Sequence, residues 1–230
     1  MTFHKMKKTQ QEYEISSKNN FFSLINFSLD EINSVLFFSY QMAFTDKGEH
    51  RKRRSGGQHN RKPGEIFADT FQGKLAEIGV KKFFNENGLE CGEINFETWQ
   101  LGKWDTSDLE INGKKINIKS SKHFANLLLL EVKDWDEQGL YLPNSDSGNS
   151  KYDYFIFVRI KPVIENIMKK LRLYYSSKAE LAELKESIEK ENWSCDIPGY
   201  ITLDDLRHII KENFINVNGA RRIAFVFLNG

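Results

Sequence analysis

The sequence predicts an α/β protein with a helical extension at its N-terminus, and three observations carry that prediction. Apolar residues recur at helical spacing in several segments, among them Phe67, Phe71, Leu75 and Ile78. Other segments read as strands: an alternating pair around Asn112-Gly113, and a nearly continuous apolar run from Tyr154 to Ile160. Helices and strands alternate along 230 residues with no internal repeat and no linker that divides the chain, which argues for one domain.

The elements follow in order. Residues 1–20 read as a loosely held arm. Ser28-Leu29-Asp30-Glu31 is a capping box, and the helix it opens runs to about Phe44. Thr45 to Gly64 has no apolar residue. Its middle, residues 51–62, holds Arg51, Lys52, Arg53, Arg54, Arg61 and Lys62 with Gly56-Gly57 and no acid. A second helix follows Pro63-Gly64, from Glu65 to about Asn87, with Gly88 as its stop. A strand is expected near Ile94 to Leu101. The hairpin spans Thr106–Ile111 and Lys115–Ser120. Phe124 to Val132 is apolar and fits strand or helix. Val163–Leu173 reads as helix. Ser177 and Glu180 form a second capping box for a helix to Glu191, Thr202 caps a short helix bearing Leu206, Ile209 and Ile210, and Arg222–Leu228 is a last strand. Residues 1–62 thus form the arm, helix and basic loop, 63–160 the core, and 161–230 the C-terminal helices and final strand.

With 40% hydrophobic residues and eighteen Phe, the chain has ample material for a core. A net charge of +1 excludes a general nucleic-acid coat, so any such contact needs a local basic patch. Cys91 and Cys195 make neither a disulfide framework nor a zinc knuckle. Met1 to Asn20 lacks an apolar signal core, and the longest aliphatic run, Leu127 to Leu130, is too short for a bilayer. The expectation is a cytoplasmic, reducing location without membrane contact.

The hairpin carries the chemistry. If Asn112-Gly113 is a two-residue turn, Asp108 faces Asn117 and Glu110 faces Lys115; if the turn is Gly113-Lys114, Asp108 faces Lys119. Both registers put Asp108, Glu110, Asn117 and Lys119 on one face and Leu109, Ile111, Ile116 and Ile118 on the other. Phosphodiester hydrolysis needs such a set, in which carboxylates hold Mg²⁺ and an ammonium orients the attacking water. An amphipathic hairpin with solvated charges is the plain alternative. Glu77, between Ala76 and Ile78 on the preceding helix and beside small residues, is placed to lean toward the sheet.

Glu77, then Asp108, then Asn117-Ile118-Lys119 resemble the PD-(D/E)XK nuclease superfamily, above all its type II restriction endonucleases. The resemblance covers about residues 63–160, under half of the chain. It implies a restriction-endonuclease-like core, a central mixed β-sheet flanked by helices. It also implies that Glu77 and Asp108 bind Mg²⁺ and that Lys119 assists the attacking water. Ser107 stands where the family often has proline. Asn117 replaces the second acid; its amide oxygen and the backbone carbonyl of Ile118 are the remaining ligand candidates, and Glu110 offers a further carboxylate. The resemblance further implies a homodimer that cuts both strands of a short double-stranded DNA target. Arg51, Lys52, Arg53, Arg54, Arg61 and Lys62, with Ser121 and Lys122 at the end of the hairpin strand, are the expected DNA contacts. A non-catalytic DNA-binding module with a decayed core is the competing expectation, motivated by Asn117. A partner-binding protein that uses the C-terminal helices is a third.

Overall fold

The computed structural model describes residues 7–8, 13–14, 19–45, 60–96, 108–143, 151–212, 214–217 and 220–226. In chain order these form β1 (Lys7–Lys8), β2 (Tyr13–Glu14), β3 (Ile25–Asn26), α1 (Leu29–Phe44), α2 (Pro63–Glu86), β4 (Leu109–Ile111), β5 (Lys114–Lys122) and β6 (Leu127–Glu131). A 3-10 turn (Val132–Asp134), β7 (Tyr154–Lys161), α3 (Ile164–Lys170), α4 (Leu181–Glu189), β8 (Ser194–Thr202), α5 (Leu203–Glu212), β9 (Phe214–Val217) and β10 (Ala220–Val226) follow. The fold is α/β. Its central sheet has five strands in the order β3-β8-β7-β5-β4 and is mixed, with β5 and β7 parallel and the other pairs antiparallel. A three-stranded sheet, β6-β10-β9, and the small β1–β2 pair complete the strands.

Two cores lie on opposite faces of the central sheet. Successive strand residues point to opposite sides, and β5 shows both. Ile116 and Ile118 pack with Ile156, Val158 and Ile160 beneath α1, α2, α3 and α4. Asn117 and Lys119 share the other side with Phe155 and Phe157, their partners on β7. There Leu128 and Leu130 of β6, Trp135, and Leu206, Ile209 and Ile210 of α5 form the second core. Burial on both faces is why β7 reads as a continuous apolar run.

The ends of several elements follow from local chemistry. Ser28 Oγ accepts from Glu31 N at 3.3 Å and Glu31 Oε2 from Ser28 N at 2.7 Å, the reciprocal box that starts α1. Pro63 opens α2 at a position where its missing N–H costs nothing. Gly64 is dictated by crowding, because a Cβ there would lie 2.0 Å from Leu173 O. Thr202 and Asp205 form the cap that starts α5.

Some expectations are corrected. Ser177 does not cap α4, which begins at Leu181. Ser176 Oγ instead takes Lys178 N at 3.1 Å, and Tyr40 donates to Ala179 O at 3.0 Å, so this stretch is pinned before the helix starts. The arm is not loose at its end: Asn19 is buried, and the carbonyls of Asn19 and Asn20 accept from Arg159 at 2.7 and 3.0 Å. β8 was not expected, because Pro198 and Gly199 interrupt its pattern. Pro198 lies inside, and Gly199 at the end of, a register shift where three steps of β8 span two of β7, a bulge that tolerates a residue without an N–H. Of the strand expected near 94–101, the described residues show only an isolated bridge from Cys91 to Ile111, and 97–101 lie outside them. The Phe124–Val132 ambiguity resolves as β6.

Candidate active site on the hairpin

The pairing of β4 with β5 decides the turn. Leu109 faces Ile116, Glu110 faces Lys115 and Ile111 faces Lys114. Asn112 and Gly113 both have positive φ, 50° and 72°, as a type I′ turn requires. Continuing that register places Asp108 opposite Asn117. Asp108 Oδ2 accepts the Ile118 N–H at 2.5 Å, taking over a backbone group just where β4 stops. The carbonyl of a strand residue points the same way as its N–H, so Ile118 C=O faces this same edge.

Asn117 is 6% exposed, and its Oδ1 has no hydrogen-bond partner among the described residues. An orphaned buried acceptor costs about 1–3 kcal/mol, so such groups generally mark a ligand, ion or water position. Lys119 is half-buried. Removal from water pushes its pKa below the usual lysine range, and the negative charges of Asp108 and Asp134 oppose that shift. Asp134 is buried at the end of the 3-10 turn. Its neighbour Trp135 packs on Phe155 with ring centroids 5.2 Å apart.

Glu77 comes from the other direction. α2 packs its apolar side on the Ile116–Ile118 face, opposite Asp108, Asn117 and Lys119. Glu77 Oε2 lies 2.6 Å from Lys74 Nζ, and Lys74 also stands over the rings of Phe38 and Phe96. Lys81 pairs with Glu93 at 2.7 Å, and Gly92 N bonds to Glu110 O. This flank of α2 therefore borders the segment that leads to the β4 edge. The structure joins Asp108, Asn117 and Lys119 on one face and sets Glu77 on the helix across it.

Arg51, Lys52, Arg53 and Arg54 lie outside the described residues. Arg61 pairs with Asp69 at 2.9 Å, and Lys62 is exposed at the start of α2. Lys122 turns to the α2 side and pairs with Glu165 at 2.5 Å. Ser120, Ser121 and Lys122 all line a polar cavity of about 190 Å³ with Asp69, Gln72 and Glu165. Among the described residues no three His, Cys, Asp or Glu side chains form a metal cluster. Compared with known proteins, the chain matches no family model, no curated protein and no solved structure. No helix among the described residues is long and apolar enough to cross a membrane.

Proposed function

We propose that this chain is a Mg²⁺-dependent endonuclease of the PD-(D/E)XK kind that hydrolyses double-stranded DNA, in its finer form a type II restriction enzyme cutting at a short specific sequence. The observation that carries the reading is the pairing of Asp108 with Asn117 beside Lys119, with Asn117 Oδ1 buried and without a partner among the described residues. The donor set fits a hard cation, since carboxylate, amide and backbone carbonyl oxygens are what Mg²⁺ prefers. Asp108, Asn117 Oδ1 and Ile118 C=O would hold the ion, with Glu77 contributing across the β4 edge. The bound ion would polarise the phosphate and make its water more acidic. Asp108 fixes the edge of β5 through the Ile118 N–H, which keeps the two strands in register. Lys119 presents an ammonium that orients the attacking water and meets charge developing on the phosphate. Half-burial strengthens that interaction by excluding water. Arg61 and Lys62 continue the basic run and would follow the phosphate backbone. A homodimer acting in the cytoplasm belongs to this proposal.

The test is cleavage of unmodified plasmid DNA in Mg²⁺, with EDTA as control. Discrete fragments that disappear in Lys119→Ala support the enzyme. A second reading, a DNA-binding module without catalysis, is favoured by the amide at Asn117 and by the Lys74 ion pair on Glu77. Intact DNA together with Mg²⁺-independent retention would move the assignment there.

A further inference from the structure

We infer that the turn after α3 and the start of α2 form a phosphate-backbone interface for double-stranded DNA, built from Lys62, Lys169, Lys170, Arg172, Tyr175 and Lys178. The inference rests on the nuclease reading for its choice of polyanion. All six residues are exposed, and contacts tie them to one corner of the molecule. Gly64, two residues after Lys62, donates its N–H to Ser176 O at 3.0 Å, and a Cβ on it would lie 2.0 Å from Leu173 O. Lys169 Nζ stands 5.1 Å from the centre of the Tyr174 ring, which meets Tyr175 edge-on with centroids 4.9 Å apart. Glu165 pairs with Lys169 and with Lys122, each at 2.5 Å, and so joins this corner to the end of β5.

The charge is local and one-sided. Residues 166–179 hold four Lys or Arg and no acid, while the next fourteen, 180–193, hold five Glu and two Lys. A polyanion is drawn to the turn and turned away by α4. The run of Arg and Lys that begins at Arg51 in the sequence ends at Lys62, on this same corner. Cations in a last turn favour a helix C-terminus, which suffices for Lys169 and Lys170. It does not reach Arg172 or Lys178, which lie beyond α3 and have no acidic partner among the described residues. Arg172 is the sharper case, because its φ is 60°. Its N–H bonds to Lys169 O at 3.0 Å and the Leu173 N–H to Met168 O at 2.8 Å, the pair of bonds with which glycine commonly ends a helix. Glycine takes that φ without a steric penalty, so the turn gives no reason for arginine. A guanidinium that grips phosphate does. Of residues 161–179, Tyr175 is the one large apolar side chain that is well exposed, at 64%. A membrane-binding face would carry a stripe of them, whereas a lone phenol beside cations suits a sugar-phosphate backbone.

The test is binding of the full chain to a duplex oligonucleotide in Ca²⁺, followed by fluorescence anisotropy over a range of salt concentrations. Wild type is expected to bind with a steep salt dependence. A triple variant, Lys170→Gln with Arg172→Gly and Lys178→Gln, should bind at least about tenfold more weakly, and its slope of log affinity on log salt should be shallower by about 2–3, since each phosphate contact contributes about 0.9. Arg172→Gly alone should weaken binding while Tm stays at or above that of wild type; a loss of binding matched by a loss of Tm overturns the role of Arg172. Lys151→Gln, the same change of charge before the start of β7, should leave affinity and slope as they were. Equal losses in Lys151→Gln and Lys170→Gln overturn the interface, because bulk charge would then suffice. A triple variant that matches wild type in affinity and slope also overturns it, and wild-type cleavage by that variant leaves the nuclease reading standing. Unchanged DNA binding with loss of binding to phosphatidylserine vesicles overturns DNA in favour of a membrane surface. Weakened binding in the triple variant, with no cleavage by wild type in Mg²⁺, supports the interface and overturns the nuclease reading. No DNA binding by wild type overturns both.

Discussion

Replacing Arg159 by leucine removes a buried cation of β7 that ties β8 and the N-terminal segment together. Arg159 is 1% exposed. Its Nε donates to Asp196 Oδ1 at 2.9 Å and its Nη2 to Asp196 Oδ2. Nη1 donates to Asn19 O at 2.7 Å and Ala125 O at 3.3 Å, and Nη2 to Asn20 O at 3.0 Å. Leucine strands a buried carboxylate whose remaining donor is the Phe22 N–H at 3.1 Å. Breaking one partner of a buried pair costs about 3–5 kcal/mol. Each carbonyl left without a donor adds about 1 kcal/mol, and water entry and the apolar leucine offset part of that. A net loss of about 4 kcal/mol is expected, a large share of the roughly 5–15 kcal/mol that holds a domain folded. With a urea slope of about 2 kcal/mol per molar, the unfolding midpoint should fall by about 2 M. The first cleavage in limited proteolysis should move to residues 19–27, which lose their anchor. Asp196→Leu should cost a similar amount, and the double variant about 2 kcal/mol or more less than the two together. A midpoint shift below about 0.5 M, or additive singles, refutes the assignment of Arg159 as the clamp between β7, β8 and the N-terminal segment.

Lys119→Ala should lower single-turnover cleavage by about 10²–10³ while DNA retention in Ca²⁺ stays near wild type; a wild-type rate would remove Lys119 from the chemistry. Burial alone would raise the Glu165 pKa, but hydrogen bonds and charge from Lys122 and Lys169 outweigh it and hold the carboxyl below its usual value. Its contribution to stability is therefore complete above the unfolded carboxyl pKa of about 4.3 and is lost as pH falls through the folded value. Glu165→Gln should flatten the acid side of the stability profile, and superimposable urea titrations from about pH 6 to 3 would contradict this. Burial, with Asp196 adding to it, pushes the Cys195 thiol up to about 12, so maleimide at neutral pH should label native Cys91 and spare Cys195. Gly79→Ala, whose Cβ would sit 2.4 Å from Cys195 Sγ, should lower Tm and bring Cys195 into reach of the reagent; unchanged labelling and Tm would show that the packing there yields freely.

What the sequence made legible was local. The Ser28–Glu31 box, the Asn112-Gly113 turn and the two faces of the hairpin follow from spacing alone, because capping and turn chemistry act within a few residues. Either turn register would have placed Asp108, Asn117 and Lys119 together, and the structure selects the one with Asp108 opposite Asn117. β8 was illegible because Pro198 and Gly199 mimic a loop, and only pairing with β7 shows that they occupy a bulge. Ser177 looked like a cap because its spacing to Glu180 is right, yet contacts from Ser176 and from Tyr40 of α1 hold that stretch outside the helix. Glu77 illustrates the opposite limit: helical spacing put it beside the sheet, and only the packing of α2 shows which face it approaches from.

The hairpin strand is a partition, with Ile116 and Ile118 in one core and Asn117 and Lys119 facing the other. This sets a rule for which length changes a lineage of such proteins can carry. One residue gained or lost between Lys114 and Asn117 would turn the polar pair into the oily layer under α2 and the isoleucines onto the polar face. Changes at the exposed tip, Asn112-Gly113, leave that assignment alone if the arms keep their pairing. Drift in loop length should therefore collect at the tip, while the arm behind it stays fixed in length even where its individual side chains are exchanged.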